Sequence, residues 1–203
     1  PGIAPSSVTL AQDEKVTENE LQQLFAQGPN QGGGTPTRPE PRQISQISAM
    51  IASASPEKVD HYLKQAFPEA DLSQIKDKKR FAQRAVEEFA QTQNDEQDSL
   101  AGQVVVAVEE YLGAHAQKLE NINKSQYLFA HLDTFNQVEH AQQIFIRWIN
   151  RDTGEVLLFS PQKIVPDKAK NWVSFSPAKG WTAGTYDVRY YQMKDDLQPI
   201  AQT

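Results

Sequence analysis

Between residues 44 and 92 the apolar positions of this chain recur every three or four residues; beyond residue 100 they recur at every second one. Ile44, Ile47 and Ile51 make a first helical stripe. Ser55-Pro56-Glu57 reads as a helix start, with a capping hydroxyl, a proline at the first helical position and an acid in the first turn. Val59, Tyr62, Leu63 and Ala66 come next at helical spacing before Pro68, and Asp77 caps a third run bearing Phe81, Ala85, Val86 and Phe89. Residues 44–93 therefore read as a small helical unit. Three short helices enclose only a thin core, so the unit is expected to lean on the β-rich part of the chain.

After the polar break at 94–99 the period becomes two. Strands are expected over 103–108, 127–133, 143–150, 155–160, 172–176, 184–191 and 198–202, with turn chemistry at Asn150–Gly154 and at Lys194-Asp195-Asp196. Seven short strands at this spacing predict a β-sandwich over 100–203 rather than a barrel with a large cavity. Alternation groups Trp148 with Ile144 and Ile146 on an inward face, and Tyr190 with Tyr186 and Val188. It sends Asp187 outward and puts Tyr191 with Arg189 on the other side. Residues 111–123 read equally as a long loop or a short helix. The expected fold class is α+β in separate segments, a helical unit and then an antiparallel β-sandwich.

Residues 1–43 read as a largely disordered arm with one short element, a helix over 17–26. Thr17 and Glu20 form a capping box, Leu21, Leu24 and Phe25 share one face, and Gly28-Pro29 ends the run. About two helical turns are marginal alone in water, so this face needs a surface to lie against. Residues 28–42 combine Gly32-Gly33-Gly34 with prolines at 36, 39 and 41, the composition of a linker that is flexible in one half and semi-extended in the other. The glycines are not followed by Lys-Ser/Thr and do not join a strand to a helix, so they are no phosphate cradle.

The run Phe175-Ser176-Pro177-Ala178-Lys179-Gly180-Trp181-Thr182-Ala183-Gly184-Thr185-Tyr186-Asp187-Val188 resembles an F-x-P-x-x-G-W-x-x-G-x-Y-x-V stretch near the end of immunoglobulin-like (Ig-like) sandwich domains of bacterial envelope proteins. The resemblance covers about residues 126–203. It implies an Ig-like sandwich, a periplasmic or cell-envelope location, and a role in adhesion, scaffolding or assembly. Independently of it, Gly180 and Gly184 permit backbone that other residues avoid, and Trp181 is placed to plug one end of the core.

Composition then removes several classes. The 203 residues carry a net charge of −6, so phosphate backbones would be repelled and nucleic acid is not an expected partner. The run Lys76, Lys78, Lys79, Arg80 is broken by Asp77 and reads as a solvated helix face. There is no cysteine, hence no thiol nucleophile, disulfide or cysteine-type metal centre. No apolar stretch is long enough to cross a bilayer. The chain opens on Pro1 and stops in what reads as an unfinished strand, so it is expected to be a piece of a longer or processed protein. His61, His115, His131 and His140 form no metal-binding spacing; strand alternation sets His131 beside Phe129 and Asp133. The acidic pairs Glu87/Glu88, Glu109/Glu110 and Asp195/Asp196 read as solvated surface or turn. No serine sits in a nucleophile elbow.

These features point to a non-catalytic structural or protein-interaction component of an envelope assembly, tethered by the arm, with no cofactor and no metal. The candidate contact residues are Leu21, Leu24 and Phe25 in the arm and Trp172 and Tyr191 as exposed aromatics on the sandwich. The alternative is a carbohydrate-binding module using exposed Trp and Tyr, which would need several coplanar rings on one face. An enzyme assembled from residues distant in sequence is the weakest reading.

Overall fold

The computed structural model describes residues 40–91, 100–111, 119–138, 142–166 and 168–203. Three helices come first: α1 (Pro41–Ser53), α2 (Pro56–Ala66) and α3 (Lys78–Ala90). Helix α1 begins inside the proline-rich stretch because Pro41 takes its first position, where a missing N–H costs nothing. The Glu40 amide donates to Gln43 Oε1 at 3.4 Å just before it. The expected caps form on the other two: Ser55 Oγ accepts from the Lys58 amide at 3.3 Å, and Asp77 Oδ1 from the Arg80 amide at 3.0 Å.

Seven strands come after them: β1 (Gln103–Ala107), β2 (Leu128–Asp133), β3 (Gln143–Asn150), β4 (Val156–Lys163), β5 (Lys170–Phe175), β6 (Tyr186–Gln192) and β7 (Gln198–Gln202). They make two antiparallel sheets, β1-β2-β5 and β4-β3-β6-β7. The chain is α+β. Strand β4 runs on through Pro161, which an edge strand tolerates. Of the undecided segment, residues 111 and 119–123 are irregular backbone and 112–118 lie outside the described residues.

The two sheets share one core. Leu132, Ala130 and Val173 of the first meet Ile146, Trp148 and Tyr190 of the second. Trp181 is buried against Trp148 with centroids 5.4 Å apart, and its Nε1 donates to the Gln126 carbonyl at 2.7 Å. Gly180 sits at φ 81°, as the turn demands. A Cβ on Gly184 would meet Asp152 Oδ2 at 2.8 Å and push aside the carboxylate that accepts from the Thr185 amide.

A second core lies on the other face of the four-stranded sheet. Phe145, Ile149, Phe159 and Tyr191 pack against Ile47, Val59, Phe81 and Phe89 of the helices. Phe145 sits among Phe159, Phe67 and Phe81 at 4.6, 5.4 and 6.4 Å, each edge-on. The order of layers is helices, four-stranded sheet, three-stranded sheet. Strand β3 is therefore covered on both faces, which explains why its apolar positions run together instead of alternating.

This layering overturns two expectations. Asp187 does not face outward and Tyr191 is not exposed; both lie on the sheet face that the helical unit covers, at 4% and 0% exposure. Glu88 is likewise not solvated. It lies three positions after Ala85 on α3, in the stripe turned to the sheet, while Glu87 stays outside.

Candidate functional site

The densest chemistry is buried under α3. Glu88 Oε1 accepts from Arg84 Nη2 at 3.0 Å, and Glu88 Oε2 accepts the Tyr191 hydroxyl proton at 2.6 Å. Arg147 Nη1 and Arg189 Nε stand 3.6 and 3.9 Å from the same carboxylate oxygen. Arg147 Nη1 also donates to the Glu88 and Gln91 carbonyls at 2.6 and 2.9 Å, closing the C-terminal turn of α3 with a cation at the negative end of its dipole. Burial pushes the Asp187 carboxyl above its ordinary value, against the opposing pull of Arg151 at 3.4 Å. Burial also holds the Tyr191 hydroxyl far above the usual tyrosine range.

Both oxygens of Glu88 are thus committed to protein donors. Three cavities among the described residues have room for about one water each, and none of the three is lined by Glu88, Arg147, Arg189 or Tyr191. What the cluster can do is fasten α3 to β3 and β6. The β6–β7 turn adds to it: Asp195 Oδ1 accepts from the Lys76 amide and the Asp196 carbonyl from Arg84 Nε, both at 2.8 Å. That acidic pair is a turn, as its sequence indicates, and its second job of anchoring the helical unit has no mark in the sequence.

The outward face of β1-β2-β5 is different. Registers align Val105 with His131 and His131 with Trp172, and the next row aligns Ala107, Phe129 and Ser174. Alternation turns all six away from the inter-sheet core. Trp172 is 40% exposed and Tyr127, just before β2, is 60% exposed. Phe129 meets Trp172 at 5.1 Å with ring planes 78° apart, and lies 6.3 Å from the His131 ring. The His131 ring is fixed by a 2.8 Å hydrogen bond between Nε2 and the Glu109 carbonyl oxygen. The result is a half-exposed aromatic strip: Trp172 is exposed, Phe129 and His131 are half-buried, and the Glu109 backbone lies against its His131 end.

Of the sequence-derived contact residues, Trp172 belongs to this strip and Tyr191 to the buried cluster. Leu21, Leu24 and Phe25 lie outside the described residues, as do His115 and His140. Sequence reasoning does not group Phe129, His131 and Val105 with Trp172. The signal for it is an apolar or aromatic residue at the solvent-side positions of two strands, which becomes a patch only once β2 and β5 are known to pair. His61 is exposed on α2 and bonded to Gln65. No described group of acidic and histidine side chains could hold a metal ion, and no described helix is long and apolar enough to cross a membrane. No family model, curated protein or solved structure matches this chain.

Proposed function

We propose that this chain is a non-catalytic structural and protein-interaction component of a bacterial cell-envelope assembly. The observation that carries the reading is the Phe129–His131–Trp172 strip, where Trp172 is 40% exposed beside two half-buried rings, while the four-stranded sheet has both faces filled. A partly exposed tryptophan with aromatic neighbours is a frequent anchor of protein interfaces.

The Ig-like assignment of the β layers supports the same reading. The strand order β1-β2-β5 facing β4-β3-β6-β7 resembles the A-B-E and C-F-G divisions of such sandwiches, with β4 as an added edge strand beside β3. Trp148 is the buried tryptophan of the third strand. Tyr186 opens the sixth strand and donates from its hydroxyl to the Thr182 carbonyl at 2.7 Å, the geometry of a tyrosine corner. The envelope location rests on the sequence resemblance alone.

A glycan-binding role is less well supported. Sugar platforms need rings lying in one plane, whereas Phe129 and Trp172 are crossed at 78° and the other two tryptophans are buried.

The test is affinity capture from a bacterial envelope fraction with three baits: the full chain, a chain lacking residues 1–39, and Trp172→Asp. The expected result is an envelope protein recovered by the full chain and lost from one or both variants. Capture of nothing by the full chain, together with binding on a glycan array that Trp172→Ala abolishes, would replace this proposal with the carbohydrate one.

A further inference from the structure

We propose that the free edge of β5 takes up a single extended strand from a partner protein, which adds a fourth strand to β1-β2-β5. This deepens the interaction reading above and rests on it: it names the form of the contact, backbone pairing with Trp172 at its centre.

Hydrogen-bond parity tells which groups β5 leaves free. The Thr134 amide donates to the Ala169 carbonyl at 3.0 Å, so the row of those two residues is a hydrogen-bonded one. Counting from it along the register, Asn171, Val173 and Phe175 turn their backbone groups to Leu132, Ala130 and Leu128 of β2. Lys170, Trp172 and Ser174 turn theirs the other way, where no hydrogen bond meets them. Donors and acceptors on alternate residues along one edge are the array that an extended chain completes. The Lys170 side chain is drawn toward β2 by Asp133 at 3.8 Å.

The other edges are guarded. In β4 the Ile164 amide donates to the Gln142 carbonyl at 3.1 Å, and the same count turns Pro161 outward, where it has no N–H to offer. On the opposite side of the sandwich the Gly102 amide donates to the Ile200 carbonyl at 2.7 Å, tying the start of β1 to β7. Proteins commonly guard exposed edges against strand addition, and this chain leaves β5 unguarded.

The stacking of the sheets selects the occupant. β1 meets β7 through the Gly102 bond, the Tyr190 hydroxyl of β6 donates to the Ala130 carbonyl of β2 at 2.6 Å, and Trp148 of β3 meets Phe175 of β5 at 5.6 Å. Three strands thus lie against β7, β6 and β3, and β4 extends past β5. A second copy pairing antiparallel through the same edge would keep its larger sheet on the same side, and its β3 would run into β4. A lone strand carries no second sheet and meets no such obstacle. Trp172, 40% exposed at the middle of the edge, then gains a cross-strand neighbour, where aromatic and β-branched side chains pair best.

Selection of a displayed library of random peptides on the full chain, alongside Ser174→Pro, tests this. Ser174 spends no amide on β2, so the proline is expected to leave the thermal melt unchanged while removing an outward donor. Wild type is expected to enrich proline-free peptides rich in β-branched and aromatic residues, and Ser174→Pro to enrich none. Should the variant melt early, amide exchange of the wild-type chain with an enriched peptide decides. Lys170, Trp172 and Ser174 are expected to gain about tenfold protection or more, and Asn171 and Val173, already bonded to β2, little. No enrichment would overturn the proposal, as would protection without this alternation. A wild-type dimer that Ser174→Pro dissociates would also overturn it, since the edge would then take a second copy. If Ser174→Pro captures an envelope protein as well as wild type does, strand addition fails while the interaction reading stands; if nothing is captured and nothing enriched, both fail.

Discussion

Tyr191, the penultimate residue of β6, gives its phenolic proton to Glu88 of α3 across 2.6 Å, joining positions 103 residues apart. The bond crosses the boundary between the helical layer and the β layers. Three guanidinium groups, those of Arg84, Arg147 and Arg189, lie within 3.9 Å of the same carboxylate. A buried carboxylate with so many donors is expensive to disturb in either direction.

Removing the Tyr191 hydroxyl as Tyr191→Phe deletes one hydrogen bond to a charged acceptor and is expected to cost about 1.5–3 kcal/mol. Glu88→Ala removes the carboxylate shared by Arg84, Arg147 and Arg189, leaving Glu87 for the first and Asp187 near the other two, and is expected to cost about 3–5 kcal/mol. Urea denaturation of both single variants and the double variant measures the coupling. Effects that simply add would mean the bond contributes nothing of its own.

The tryptophans divide by environment. Trp148 is 1% exposed at the centre of the inter-sheet core, so Trp148→Ala is expected to cost about 3–5 kcal/mol. Trp172→Ser, on the outer strip, loses its edge-to-face contact with Phe129 and is expected to cost about 0.5–1.5 kcal/mol, less than Trp148→Ala. Acrylamide quenching gives an independent readout: the native chain should show one accessible indole, and Trp172→Ser should abolish that accessible fraction. Unchanged quenching would mean the strip is covered in solution.

Much of this is legible in the residues, and the gaps have a physical pattern. Period-two alternation and turn chemistry locate all seven strands, and the caps at Ser55 and Asp77 locate two helix starts. Alternation also places Ile144, Ile146 and Trp148 on one face. What it cannot say is what lies against the opposite face. It therefore sends Asp187 outward and exposes Tyr191, when that face receives the helical unit. Glu88 reads with Glu87 as solvated for the same reason, because its partners Tyr191, Arg147 and Arg189 come from another layer. The pairing of β2 with β5 is equally hidden, since β3 and β4 intervene in the chain and go to the other sheet. The arm residues Leu21, Leu24 and Phe25 fall outside the described structure.

The β2–β3 loop stores backbone strain. The Gln137 amide donates to the Thr134 carbonyl at 2.9 Å, and the two residues between, Phe135 and Asn136, both have left-handed φ angles, 51° and 57°. This mirror-image turn favours glycine at its second central position. Asn136→Gly is expected to raise stability by up to about 1 kcal/mol, whereas Asn136→Val, β-branched at the same φ, is expected to lower it by about 1–2 kcal/mol. Thermal melts of the pair decide it: equal melting temperatures would mean the loop carries no such strain.

Alkaline pH should loosen the fold through Tyr190 and Tyr191. Tyr190 lies wholly inside the inter-sheet core with its hydroxyl donating to the Ala130 carbonyl at 2.6 Å, and Tyr191 is sealed under α3. Burial keeps both protonated far above the ordinary tyrosine range; for Tyr191 the nearby arginines oppose the effect and Glu88 reinforces it. In the unfolded chain each ionises near its ordinary value of about 10. Above that pH the unfolded state sheds protons that the folded state retains, so the stability present below about pH 10 falls as pH rises. Each tyrosine contributes a slope of about 1.4 kcal/mol per pH unit. Denaturation midpoints tracked from about pH 8 to 11 should decline more steeply for the wild-type chain than for Tyr190→Phe/Tyr191→Phe, although the double variant starts less stable at neutral pH. Parallel profiles would mean that these hydroxyls ionise in the folded protein about as readily as in water, and hence that solvent reaches the interior on both sides of β6.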